Sequence, residues 1–234
     1  MTRLTPWRIA PRVLVIIIPT YNAEAHLPRL LAQLAGSRTI VSDGGSVDAT
    51  LGAALRGGAL LAVGARGRGA QLRLGARLAL LSGAPGDWFL FLHADSQLPE
   101  GWRNVVDRAM THGGPRYFRF RADADGILAR FMDRMVALRC AALGLPYGDQ
   151  GLLISRDLYE RLGGYADMAL FEDVEMVERI RRAARLRPLP AFLTTDVSRH
   201  KRDGLWRRGL RNLHLLWRYK RGASVEALLE DYGA

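Results

Sequence analysis

The sequence predicts an α/β fold of three layers, with a mostly parallel sheet in its first half and a mixed sheet in its second. Three observations carry this. Residues 13–18 read VLVIII, the continuous β-branched run of a strand buried on both faces. Strand-like runs then alternate with helix-like stretches through residues 88–92 (WFLFL), giving four βα units. Beyond them residues 117–121 alternate, with Tyr117 and Arg119 on one side and Phe118 and Phe120 on the other, like an antiparallel strand.

Taken in order, the first strand is expected to close at Pro19, which has no N–H for a ladder. Residues 24–34 put Leu27, Leu30, Leu31 and Leu34 on one helical face, and Gly36 ends that helix. A strand at 39–42 leads into DGGS and a helix at 48–56, followed by a strand at 60–63 and a helix at 69–81. After the fourth strand a helix is expected beyond Pro99. Ile127–Leu143 is amphipathic and ends at Gly144 and Pro146. A strand at 151–155, helices at 156–162 and 174–184, a strand at 189–197 and a long basic helix at 205–219 complete the chain.

Length and composition bound the rest. A chain of 234 residues, 49% hydrophobic, builds one large domain with a substantial core. The net charge is +11, and Lys201 and Lys220 are the only lysines, so arginine carries nearly all of it; arginine suits phosphates and anionic surfaces. Cys140 is the single cysteine, which excludes an internal disulfide. No apolar run reaches spanning length, and the expectation is a cytoplasmic protein, free or peripheral at the inner face of the membrane. No G-x-G-x-x-G follows the first strand, so nicotinamide and flavin chemistry is disfavoured.

Asp95 follows the fourth buried strand, where an α/β sheet places its ligands, although such an acid also caps turns. Read together, VIIIPTYNAEAHL, VSDGGSVDAT, GARGRGAQL, FLHAD and GGYADMALFEDVEMVERI occur in the order of a known family. Over residues 12–200 the chain resembles a family 2 glycosyltransferase of the GT-A fold, a Rossmann-like mixed sheet whose parallel first half binds the nucleotide. The wording HAD, LPYGDQG and FEDVE is similar to a bacterial subgroup associated with arsenosugar biosynthesis. The resemblance implies a catalytic domain over residues 1–200 and leaves 201–234 as a basic amphipathic helical extension.

What such a transfer requires matches residue types here. The donor's nucleoside needs a polar strand-end loop, and Asp43 with Gly44 and Gly45 supplies one; an Asx-turn capped by Ser46 is the other reading. By resemblance Pro19, Thr20, Tyr21 and Asp43 line the nucleoside pocket. Arg66 and Arg68, at the start of a helix, can meet phosphate oxygens, with Gln71 one turn in, or can be surface arginines. Asp95 can bind a divalent cation, Mn²⁺ or Mg²⁺. His93 stands where much of the family has a first acid, so weak metal binding favouring Mn²⁺ is expected; His200 is an extra ligand or a surface histidine. His93 and Ala94, with Asp149 and Gln150 of LPYGDQG, are expected near the donor sugar or the acceptor. Glu172 and Asp173 head a helix whose dipole stabilises both. By resemblance Asp173 is the general base of an inverting transfer and Glu172 supports the acceptor or the loop, with a nucleotide-sugar donor, a UDP-sugar above all.

The acceptor stays open between a lipid-linked and a small molecule. From Arg199 to Arg221 the chain carries nine Arg or Lys against Asp203 alone, +8 in 23 residues, with apolar residues at helical spacing from Leu205 to Trp217. Such a helix packs on its own domain, forms a homodimer, or lies on an anionic membrane. The competing class, a basic nucleic-acid-binding protein without catalytic activity, has charge alone in its favour; no reading module is present and no nucleic-acid partner is expected.

Overall fold

The apolar run near the start of the chain becomes β1 (Leu14–Thr20), all seven of whose residues are buried. A computed structural model describes residues 12–82, 86–197 and 205–233. β2 (Arg38–Asp43), β3 (Leu60–Val63) and β4 (Trp88–Phe91) lie parallel with β1 in the order β3-β2-β1-β4. β7 (Leu152–Ser155) continues the sheet antiparallel to β4. β6 (Arg116–Ala122), β8 (Arg187–Thr195) and the two-residue β5 (Ser96–Gln97) extend it to eight strands.

Both faces are covered, which is why β1 has no polar face. Ile16 and Ile18 pack with α1 (Leu27–Gln33), α2 (Thr50–Arg56) and α4 (Trp102–His112) through Leu30, Ala54 and Val106. Val15 and Ile17 pack with α3 (Arg68–Ser82), α6 (Arg156–Arg161) and α7 (Glu172–Ala183) through Ala76, Leu158 and Met176. Successive strand residues point to opposite faces, so a two-sided helical cover demands a continuous apolar run.

The structure corrects several boundaries. β1 runs through Pro19 instead of stopping before it. Leu92 N–H donates to the Ile17 carbonyl and Gly44 N–H to that of Thr20, so odd-numbered residues of β1 face β4 and even-numbered ones β2. The β4 ladder ends at Ile17, so the N–H that Pro19 lacks has no ladder to serve. α1 begins at Leu27, not residue 24, with Pro28 in its first turn; the Glu24 carboxylate instead accepts the Ala49 N–H at 2.8 Å. β6 is antiparallel to β7 only at Arg116 and runs parallel to β8, with a register shift at Tyr117/Arg119 that buries Tyr117 beside Phe118. β5, a 3-10 turn at Gly148–Gln150 and a C-terminal helix were not anticipated.

α5 (Ile127–Leu143) has the predicted bounds and is closed by Gly144 at φ 60°. α8 (Leu205–Lys220) and α9 (Val225–Gly233) end the chain. α8 lies against α7: the Tyr219 ring is 5.0 Å from that of Phe171, and Lys220 Nζ is 3.2 Å from Glu178. Among the described residues no helix is long and apolar enough to cross a membrane.

Candidate active site

The carboxyl ends of β1, β2 and β4, the turn before β7 and the head of α7 converge in one region, in two halves.

The first half is organised by Asp43, the last residue of β2. Its carboxylate is 0% exposed and accepts four hydrogen bonds: from Thr20 Oγ1 at 2.8 Å, Gly45 N at 2.9 Å, Ser46 N at 2.7 Å and Ser46 Oγ at 2.6 Å. A carboxylate offers about four lone-pair positions, so Asp43 is saturated and shapes the loop, as the Asx-turn reading has it. Gln71 is also turned inward. Its Nε2 donates to the Thr20 carbonyl and, at 3.2 Å, to that of Ser42, stapling two strand ends beneath the loop. Pro19 and Thr20 are buried as well. The groups that face outward are Tyr21, 39% exposed, and Arg66, whose guanidinium carbon lies 4.1 Å from the Tyr21 ring centre.

The second half holds the acids. Arg68, the first residue of α3, reaches across to α7 instead of outward alone. Its Nε donates to Glu172 Oε1, and its Nη2 lies 3.2 Å from Asp173 Oδ2. Gly69 makes that approach possible, because a Cβ there would sit 2.4 Å from the Met168 carbonyl oxygen. Asp173 also accepts the Gly148 N–H at 2.8 Å and that of Val174 at 2.8 Å. His93 closes the cluster: a Cβ on Gly148 would lie 2.8 Å from His93 Nε2 and 3.3 Å from Asp173 Oδ2. Asp149 follows in the 3-10 turn and Asp95 in the turn after β4, each with one buried oxygen, Oδ1, that has no hydrogen-bond partner. Gln150 does not face this cluster. Its Oε1 accepts from Arg139 Nη2, Cys140 Sγ and Tyr147 N, and its Nε2 donates to the Phe118 carbonyl at 3.2 Å, which commits the amide to the interior.

Burial and charge set opposite protonation tendencies within a few ångströms. Burial pushes the Asp149 carboxyl up to about 6, against the pull of Arg139. Burial also raises Glu172, opposed by Arg68. In Asp173 the same upward push of burial is outweighed by Arg68 and the two backbone N–H groups, so its carboxyl lies below the ordinary value. Burial and the Arg68 charge bring His93 down to about 4, leaving a neutral imidazole at pH 7. Carboxyls driven apart in this way are suited to separate acid and base roles, as well as to a buried ion-pair network.

Two carboxylate oxygens without partners, on Asp95 and Asp149, fit a hard divalent cation. Among the described residues no group of three His, Cys, Asp or Glu could hold a metal. A Mg²⁺-type ion needs only one or two carboxylates when phosphate oxygens and water complete its shell, so the donor set fits such an ion bound together with a diphosphate. His200 lies outside the described residues. Sequence reasoning missed the pairing of Arg68 with α7, the Gly148 contact and the Arg139–Gln150 brace; none has a local signal, since each joins distant segments.

Residues 15–126 match the family model described as Glycosyl transferase family 2. No curated protein matches the chain. Among solved structures, TarS of S. aureus is similar at 15% identity and TM-score 0.55, over 80% of this chain and 37% of TarS. TarS 1-349 in complex with UDP-GlcNAc is similar at 15% identity and TM-score 0.54, over 79% of this chain and 58% of that one. Glucosyl-3-phosphoglycerate synthase from Mycobacterium tuberculosis, in complex with Mn²⁺, UDP and phosphoglyceric acid, is similar at 21% identity and TM-score 0.54, over 80% of this chain and 70% of that one. The chain thus spans 37% of the TarS chain, and likeness at these identities speaks to fold. Residues 15–126 thus resemble glycosyl transferase family 2, and the chain shares the GT-A fold of these solved structures.

Proposed function

We propose that this protein transfers a sugar from a nucleoside diphosphate donor, a UDP-sugar, to an acceptor hydroxyl with inversion at the anomeric carbon. The observation that carries the reading is the gathering of Asp95, Asp149 and Asp173 with His93 and Arg68 beyond the carboxyl ends of the parallel strands, in a chain whose residues 15–126 match the glycosyl transferase family 2 model. The UDP in the Mycobacterium tuberculosis synthase and the UDP-GlcNAc in TarS support the choice of donor.

In this reading Tyr21 stacks on the base above the loop that Asp43 holds, and Arg66 and the start of α3 face the diphosphate. Asp95, with Asp149 beside it, would hold Mn²⁺ or Mg²⁺, which when bound neutralises charge on the diphosphate. Asp173 takes the proton of the acceptor hydroxyl as that oxygen bonds to the anomeric carbon; the bond from this carbon to the diphosphate oxygen breaks, and its electron pair leaves with UDP. A carboxyl below its ordinary value is ionised at neutral pH and ready to accept that proton. Gly148 N–H aims the carboxylate, and Glu172 holds Arg68 in place.

A thermal-shift titration tests the assignment. UDP with Mn²⁺ is expected to raise the melting temperature, and Asp95→Ala to remove the metal-dependent part. Asp173→Asn is expected to keep the UDP response while transfer falls by about 10²–10⁴. No response to any nucleoside diphosphate overturns the reading.

A further inference from the structure

α5 buries one face and leaves the other apolar. Ala129, Met132 and Val136 pack on Phe120 and Ala122 of β6. The side chains of Ile127, Leu128, Met135 and Leu138 are 47–81% exposed. At about 100° per residue these four fall within about 100° of the helix surface, a single stripe. Its charges are sorted as well. Asp133 is turned inward, accepting the Ala122 N–H at 2.9 Å, and Arg139 is held over the Tyr147 ring. The exposed charges of the helix are Arg130 and Arg134, which flank one edge of the stripe. Asp123 and Asp125 precede the helix.

The geometry points to α5 as a docking helix for an anionic lipid bilayer, its stripe lying at the headgroup boundary with Arg130 and Arg134 against lipid phosphates. Charge decides between a bilayer and a second copy of the chain. A two-fold pairing of this face brings Arg130 and Arg134 toward their own copies with no acid on the stripe to offset them. Anionic headgroups offset them directly, in a chain of net charge +11. Seventeen residues with four charges lie on a membrane and do not cross it. The placement has a consequence for the candidate site: α5 ends at Gly144, and the loop that follows carries the Gly148 N–H bonded to Asp173. The inference does not depend on the transfer proposed above.

The test is flotation of the full chain with phosphatidylcholine vesicles, with and without phosphatidylglycerol, at low and high salt. Binding is expected only with phosphatidylglycerol. Ile127→Glu with Leu138→Glu should reduce it at least tenfold, with the melting temperature retained because both side chains are exposed. Arg130→Ala with Arg134→Ala should reduce it about 25-fold and flatten its salt dependence, from about fivefold per arginine at an anionic surface. Trp217→Glu on α8 should leave it unchanged. The inference is overturned by absence of binding to phosphatidylglycerol vesicles, or by binding that survives both α5 double variants. It is equally overturned by loss of binding in Trp217→Glu alone, or by a dimer that Ile127→Glu with Leu138→Glu splits.

Discussion

The guanidinium of Arg68 lies 3.2 Å from the Asp173 carboxylate while its Nε donates to the neighbouring Glu172. One cation thus offsets two buried acids at the head of α7. Replacing it by alanine leaves burial unopposed by charge, so both carboxyls rise. A carboxyl held low is ionised down to acid pH, so with Asp173 as the proposed base Arg68→Ala should move the acid limb of the transfer profile to higher pH. Arg68 is 38% exposed, so solvent screening reduces its contribution, and a loss of about 1–2 kcal/mol is expected from urea unfolding.

His93 and Asp149 give opposite pH dependences over nearly the same range. Asp149, raised from 3.8 to about 6, binds its proton more tightly when folded, so it lowers stability as pH rises from about 4 to 6. His93, lowered from 6.5 to about 4, binds its proton less tightly when folded, so it raises stability over about the same interval. The two slopes offset each other in the wild-type, metal-free protein. Asp149→Asn should expose the rising slope and His93→Asn the falling one, each about 2–3 kcal/mol across the window. Unfolding midpoints at pH 4 and pH 6.5 in the presence of a chelator check this, and parallel profiles for the two variants contradict it.

Much of the scaffold was legible because its causes are local. β1 and β4 are apolar throughout since helices cover both faces, and α5 keeps its predicted bounds because Gly144 and Pro146 end it. The positions of Asp95 and Asp173 follow from strand and helix ends. Side-chain direction was not legible. Gln71 and Gln150 stand where a ligand contact is reasonable, yet each turns inward to satisfy buried carbonyls and N–H groups. Asp-Gly-Gly-Ser encodes both a ligand loop and an Asx-turn, and only the Thr20 and Ser46 partners tell them apart. Arg68 and Glu172 are 104 residues apart, beyond any periodicity.

Gly148 is required for space and not for backbone freedom. A methyl group there meets His93 Nε2 at 2.8 Å and Asp173 Oδ2 at 3.3 Å, so Gly148→Ala must displace one of the two. In the proposed reading the nucleoside lies at the Tyr21–Arg66 half, so metal-free UDP binding should be unchanged. Transfer should fall by about 10², the effect of misplacing a reacting group by about 1 Å. Equal losses in UDP affinity and turnover would show that the two halves are not separable.

Gly69 makes the stricter steric demand, because what it meets is backbone. Its added Cβ would lie 2.4 Å from the Met168 carbonyl oxygen and 2.7 Å from that of Ala166, and neither can swing away as a side chain does. Gly69→Ala therefore pushes the first turn of α3 off the 166–168 loop, at about 1–3 kcal/mol, the range for overpacking a tight contact. Arg68 moves with that turn. The variant should reproduce the upward shift of the Asp173 acid limb expected for Arg68→Ala while the guanidinium is still present. Combining the two substitutions should then add little further shift, since both remove the same contact, whereas fully additive shifts would mean that Arg68 acts on Asp173 independently of where α3 is seated.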